Sequence, residues 1–159
     1  MDFNLSECHV DLAMHLNDQW HSVLPDTVKS NLLRNKRKVF YVLEYDGRYY
    51  AAAIWTDPVA ANRLSFESLE LRRLAIADDA PKNTATRMLA LMRRDIKNRW
   101  PELQKVISYQ AVDHHHGTIY KADNWVPANT GTNVEWSTKT RKRNALQTTS
   151  KKIRWERNP

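Results

Sequence analysis

Cysteine is almost absent. Cys8 alone cannot close an internal disulfide, which excludes a disulfide-stapled secreted scaffold and makes a reducing cytoplasm the expected compartment. Three glycines argue against collagen-like or linker-like sequence and against many glycine-dependent turns. No apolar run reaches the length a bilayer-spanning helix needs. Met1-Asp2-Phe3-Asn4 has neither the basic nor the apolar part of a secretory signal, so no membrane partner is expected. What is present is 42 % hydrophobic residues in 159, enough for one domain with a substantial core.

Charge is unevenly placed. Residues 1–136 hold 17 Lys/Arg and 17 Asp/Glu, whereas 137–159 hold eight Lys/Arg and one acid, Glu156. A neutral body with a basic end suits a polyanionic partner, nucleic acid first of all. A solubilising tail is the plainer alternative. Within that end, Lys139, Arg141, Lys142, Arg143, Lys151, Lys152 and Arg154 are the candidate phosphate contacts.

Along the chain, Ser6 followed by Cys8, Leu12, Leu16 and Trp20 predicts a capped helix over 6–22. Pro25-Asp26 predicts a second, short helix through Val28, Leu32 and Leu33. Two runs of β-formers, 39–44 and 49–55, flank Asp46-Gly47 and predict a hairpin. A strand over 68–77, a polar loop, a helix from Ala85 to about Arg99 and a strand over 106–109 make one βαβ unit, so part of the sheet is parallel. A short helix over 118–123 follows. Val134–Trp136 and Ile153–Trp155 are candidate closing strands around a basic loop. The sum is a mixed α/β domain.

The most informative stretch is that βαβ unit. A strand feeding a helix through Asp78-Asp79-Ala80-Pro81-Lys82-Asn83-Thr84 leaves backbone N–H groups at the helix start, where the helix dipole favours an anion. Lys82, Asn83, Thr84 and Ala85 are placed to receive a pyrophosphate, and Arg87 is placed to add a charge-assisted bond or to be an ordinary exposed helix arginine.

The order of elements resembles the GNAT acyltransferase fold, a mixed twisted sheet whose splayed central strands admit acyl-CoA and are flanked by helices. The usual glycine-rich loop of that fold has no glycine here, so the match is to architecture. A closer resemblance rests on Leu71-Arg72-Arg73-Leu74, Ala80-Pro81-Lys82-Asn83-Thr84, Ile107-Ser108-Tyr109, His115-His116-Gly117-Thr118-Ile119-Tyr120-Lys121-Ala122 and Lys152-Ile153-Arg154-Trp155. These segments resemble the phage Mom proteins, GNAT-like enzymes that alter N6 of adenine in DNA to a methylcarbamoyl-type adduct that blocks restriction. Length and charge give a single domain over 1–159 with a basic segment 137–159; the resemblance, carried mainly by residues 68–159, implies acetyl-CoA or another acyl-CoA as donor, and adenine-containing DNA as partner, double-stranded with the base flipped out. It implies a phage- or prophage-encoded protein working in a bacterial host, and it leaves room for a homodimer. The family's arginine falls on Arg72 or Arg73, with Arg73 favoured, and its tyrosine on Tyr120. Its aspartate has no clean counterpart; Asp113 is the acid nearby.

Acyl transfer to an amine requires a polarised carbonyl, a proton acceptor for the amine and an acid for the leaving thiolate. Backbone N–H groups at Leu74, Ala75 and Ile76 are candidates to hold the pantetheine arm or polarise the carbonyl. Tyr120 is the candidate acid, or else a packed core tyrosine. Asp113 and His115 are the candidate bases. Tyr49, Tyr109, Trp125 and Trp20 are candidates to stack on a base, or else core residues. His114-His115-His116 reads as a polar turn rather than a metal site, because consecutive histidines diverge. Two other readings fit the same residues: a conventional GNAT N-acetyltransferase acting on a protein or small amine, and a noncatalytic nucleic-acid-binding module on the same fold.

Overall fold

The computed structural model describes residues 2–20, 28–59, 67–111, 117–132 and 151–159. The chain starts with strand β1 (Asn4–Glu7) and only then enters helix α1 (Val10–Trp20), where one helix is predicted over 6–22. Ser6 therefore caps nothing. It lies opposite Val42 in an antiparallel ladder, and the Cys8 N–H donates to the Phe40 carbonyl, 2.9 Å. The predicted apolar stripe survives this change, because Cys8, Leu12, Leu16 and Trp20 all pack on one cluster with Val42 and Ala52.

Helix α2 (Lys29–Leu33) is short, and Arg34 ends it. Strands β2 (Lys38–Tyr45) and β3 (Arg48–Thr56) form the predicted hairpin. Its two-residue turn takes positive φ at both Asp46 (51°) and Gly47 (74°), which Asp-Gly tolerates and which matches the strand twist. Strand β4 (Ser68–Ile76), helix α3 (Thr84–Arg99) and strand β5 (Lys105–Ala111) are the predicted βαβ unit, with β4 and β5 parallel. Helix α4 (Thr118–Ala122) follows. The closing pair is β6 (Val126–Thr132) with β7 (Lys151–Arg157). β7 agrees with the sequence. The strand expected at 134–136 lies outside the described residues; β6 is a strand the sequence reading did not list, and Pro127 is tolerated because β6 is an edge strand.

The seven strands form one mixed sheet in the order β1-β2-β3-β4-β5-β7-β6. Its first face carries Tyr41, Ala53, Trp55, Leu69, Leu71 and Trp155 against Met88, Leu89, Met92 and Ile96 of α3, with Tyr120 of α4 in the same cluster. Each fully buried side chain there contributes about 1.5–3 kcal/mol of transfer free energy. The second face carries Phe40, Val42, Ala52 and Ile54 against α1 and α2. No helix among the described residues is long and apolar enough to cross a membrane.

Candidate active site

The parallel ladder of β4 and β5 runs from Ser68↔Lys105 to Leu71↔Ser108 and stops there. β4 continues to Ile76, while β5 continues to Ala111 with β7 as its partner. The two strands thus part into a wedge. Backbone groups of β4 beyond Leu71 that point towards β5 face this wedge in place of a ladder partner. Leu74, Ala75 and Ile76 lie along it, where the sequence assigns them to a cofactor arm.

A bulge decides which side chains meet the wedge. Ile54 lies opposite Arg73 and Trp55 opposite Leu71, so Arg72 is the extra residue. The alternation flips at this point. Leu69, Leu71, Leu74 and Ile76 all serve the first-face core, while Glu70, Arg73 and Ala75 share the face of Ile54 and Ala52. Arg72 Nη1 donates to Thr56 Oγ1, 3.3 Å, on that second face. Arg73 is buried, and its Nη1 donates to the Arg72 carbonyl, 2.8 Å. Burial, reinforced by the Arg72 charge and opposed by Glu70, pulls its guanidinium down to about 10, so it stays protonated at neutral pH.

Glu70 is the residue the sequence reading missed. It is 4 % exposed, and its Oε2 accepts the Val59 N–H at 2.8 Å. Burial pushes its carboxyl above the usual carboxylate range, against the Val59 hydrogen bond and the charges of Arg72, Arg73 and Lys152. The sequence signal is a carboxylate between two leucines, Leu69-Glu70-Leu71, in a strand read as buried.

Tyr120 reaches the same point from the first face. Its hydroxyl and Ser108 Oγ are 2.8 Å apart, and Ser108 belongs to the last β4–β5 pair. The ring stacks on Trp155 (centroids 5.6 Å, 17°) and meets Trp125 edge-on. Burial raises the phenol above its ordinary value, the Ser108 bond working the other way. Tyr120 is therefore both the packed core residue and a hydroxyl at the apex of the wedge. Arg73 and Tyr120 do not share a face; they flank the wedge from opposite sides.

At the start of α3 the loop folds on itself. Asn83 takes a left-handed conformation (φ 67°) and makes no side-chain cap. Thr84 is buried, and both its hydroxyl (2.5 Å) and its N–H (3.2 Å) donate to the Pro81 carbonyl. Both donors of Thr84 are thus turned into the loop. The Arg87 N–H returns to the Asn83 carbonyl, which leaves the N–H groups of Ala85 and Thr86 as those without an intrahelical acceptor. Lys82 is exposed beside them. The Arg87 guanidinium lies over the Phe3 ring, 5.7 Å from its centroid.

Lys152 and Arg154 lie on the second face through their pairing with Ala111 and Tyr109. Of Lys151 only the backbone, in β7, is described. Asp113, His115, Lys139, Arg141, Lys142 and Arg143 lie outside the described residues. Trp125, a candidate base-stacking residue, is instead core, its Nε1 donating to Asp123 Oδ2 at 2.7 Å. Tyr109 remains half-buried on the second face, beside Arg154.

Residues 35–158 match the model of the Mom protein family. No curated protein matches the chain in sequence. Solved structures match it in fold. The ribosomal-protein-S18-alanine N-acetyltransferase from Escherichia coli superposes with a TM-score of 0.66 at 13 % identity, covering 98 % of this chain and 92 % of that one. A GNAT family acetyltransferase from Elizabethkingia anophelis with acetyl-CoA bound gives 0.66 at 11 % identity, covering 99 % and 98 %. A variant of the spermidine N-acetyltransferase from Vibrio cholerae gives 0.65 at 12 % identity, covering 97 % and 92 %. The fold is that of the GNAT acetyltransferases.

Proposed function

The chain belongs to the Mom protein family, and from that membership we propose that it transfers an acyl group from an acyl-CoA to N6 of adenine in DNA, a methylcarbamoyl adduct arising where the transferred group itself carries the carbamoyl nitrogen. The observation that carries this reading is the wedge: a buried arginine and carboxylate on one face and a buried phenol on the other, all at the last β4–β5 pair.

The residues present fit an acyl-CoA. The unladdered edge of β4 from Leu74 to Ile76 offers backbone partners to a pantetheine arm, and the N–H groups of Ala85 and Thr86 with Lys82 suit a pyrophosphate. When bound, the group supplies an activated acyl thioester. The rest is done by the chain. Adenine N6 is a weak nucleophile because its lone pair is delocalised into the ring, so losing a proton as it attacks helps. Glu70 takes that proton, the role for which Asp113 and His115 are the sequence candidates. With an acyl thioester bound, the Tyr120 hydroxyl would give its proton to the departing sulfur as the C–N bond forms and the C–S bond breaks, and would regain one through Ser108. Arg73 holds positive charge beside the carbonyl oxygen as negative charge develops there.

The test is direct. DNA from bacteria making the protein is hydrolysed to nucleosides and weighed by mass spectrometry, alongside DNA from cells making Arg73→Ala or Tyr120→Phe. A mass-shifted deoxyadenosine with the wild type, lost in both variants, is expected. Unmodified DNA from cells holding soluble wild-type protein overturns the reading and returns the conventional N-acetyltransferase, whose amine labelled acetyl-CoA would identify.

A further inference from the structure

Among the described residues, helices cover the sheet's second face unevenly. Helix α1 packs over β2, β3 and β4. Beyond β4 this face carries Lys105, Ile107 and Tyr109 of β5 and Lys152, Arg154 and Glu156 of β7, placed there by the pairs Glu70↔Ile107, Tyr109↔Arg154 and Ile107↔Glu156. With Arg72 and Arg73 of β4, five described cations face two carboxylates, Glu70 and Glu156.

Both carboxylates lie among these cations, Glu70 attracting Arg72, Arg73 and Lys152. Glu156 Oε1 is shared, 3.4 Å from Lys105 Nζ and 3.0 Å from Arg154 Nε. The second contact is too far out of line to be a hydrogen bond, so the buried Arg154 Nε has no acceptor. Glu70 accepts from the Val59 N–H. The Arg72 Nε is buried and also without an acceptor. Burial, joined by the charge of Arg73 and opposed by that of Glu70, lowers the Lys152 ammonium below the ordinary lysine range. Five cations against two carboxylates leave a positive excess on this face, which suits an anion from outside the chain.

The arginines of α3 are the competing surface, and they are largely engaged. Arg93 makes two 2.7 Å bonds to Asp123. Arg99 pairs with Asp95 and Glu7, each at 2.7 Å. Arg87 covers Phe3. Arg94 and Lys97 stay exposed.

Resting on the reading that the acceptor is DNA, we propose that the β5–β7 strip of the second face is where a DNA strand docks. Its phosphates meet Arg72, Lys152 and Arg154, and a base leaving the stack lies against Tyr109. The strip adjoins the wedge: Arg73 and Tyr109 follow closely on the last β4–β5 pair, Leu71↔Ser108. A base placed on Tyr109 is thus next to the carboxylate of Glu70, with the cofactor-side tyrosine across the sheet. Stacking on one aromatic ring and a few phosphate contacts suit a locally single-stranded nucleotide.

The experiment is a titration of a fluorescein-labelled adenine-containing oligonucleotide, single-stranded and duplex, by fluorescence anisotropy over a series of salt concentrations, using the full chain. Lys152→Glu with Arg154→Glu is expected to weaken binding more than about tenfold and to reduce the slope of log K against log salt by about two, because each lost phosphate contact releases roughly one counterion fewer. Arg94→Glu with Lys97→Glu is expected to stay within about twofold of wild type on the same principle. Circular dichroism checks that both variants fold. A second measurement needs no variant: ultraviolet crosslinking of wild-type protein to a bromodeoxyuridine oligonucleotide, with peptide mapping, is expected to mark the peptide holding Tyr109. Undiminished binding by the β7 variant, crosslinks confined to α3, or no DNA binding by the wild type overturns the proposal. Neither readout involves acyl transfer, so DNA that binds this strip but is never modified would sink the chemistry and leave the docking surface standing.

Discussion

Single residues carry the sharpest consequences, and Glu70 comes first. Its carboxyl is raised chiefly by burial, so the native protein holds that proton more tightly than the unfolded chain does. The stability it contributes is therefore full below the ordinary carboxylate value and is lost as pH rises through the raised native value. Glu70→Gln, which cannot ionise, is expected to gain in melting temperature relative to wild type as pH climbs through that window. The same variant is expected to lose about 100-fold or more in adenine modification and to lose the acid limb of the pH–rate profile. An unchanged acid limb would remove Glu70 from proton transfer. Cys8 provides a contrast. Burial pushes its thiol up to about 11, so at pH 8 it is almost wholly protonated. Iodoacetamide is expected to label it at least about tenfold more slowly in the native protein than in urea, as a structural thiol should behave.

At the level of elements, what the sequence made legible is what local chemistry encodes. Asp46-Gly47 sets the hairpin turn, the stripe of Met88, Leu89, Met92 and Ile96 sets α3, and Ile153–Trp155 sets β7. What it concealed depends on pairing. Ser6 reads as a helix cap until an edge of β2 is there to take it as a strand. Glu70 alternates with leucines in a strand whose partners the sequence does not name; α1 covers β4, and the bulge at Arg72 turns Arg73 onto that same covered face. Nothing in Leu-Arg-Arg-Leu announces which arginine is the extra residue. The start of α4 gives an element-scale prediction. Gly117 sits at φ 72°, and a Cβ there would lie 2.5 Å from Gln110 Oε1 and 2.9 Å from Trp155 Cζ2. Gln110 Oε1 accepts the Trp155 Nε1 hydrogen bond (2.9 Å), and Trp155 stacks on Tyr120. Gly117→Ala is expected to cost about 2–4 kcal/mol, adding overpacking to the left-handed strain. Denaturant unfolding measures it, and a loss within 0.5 kcal/mol, on the order of a neutral surface change, would mean that this turn relaxes freely.

At the scale of the whole molecule the sheet works as a partition. The wedge, Tyr120 and the start of α3 belong to the side on which a CoA thioester would lie, while Glu70, Arg73, Tyr109, Lys152 and Arg154 belong to the other. Both proposed ligands are polyanions, and on a single basic surface they would compete. Across a partition they meet only at the apex, where Ser108 and Leu71 make the last pair. Calorimetric titration of CoA into the protein, alone and saturated with an adenine-containing oligonucleotide, separates the two cases. The dissociation constants are expected to agree within about threefold, a coupling free energy below about 0.7 kcal/mol. Linkage requires the oligonucleotide affinity to change by that same small factor when CoA is saturating, which gives the experiment an internal check. Competition, seen as a CoA constant that rises in proportion to the oligonucleotide concentration, would put both anions on one face and contradict the arrangement in which donor and acceptor approach the gap from opposite sides.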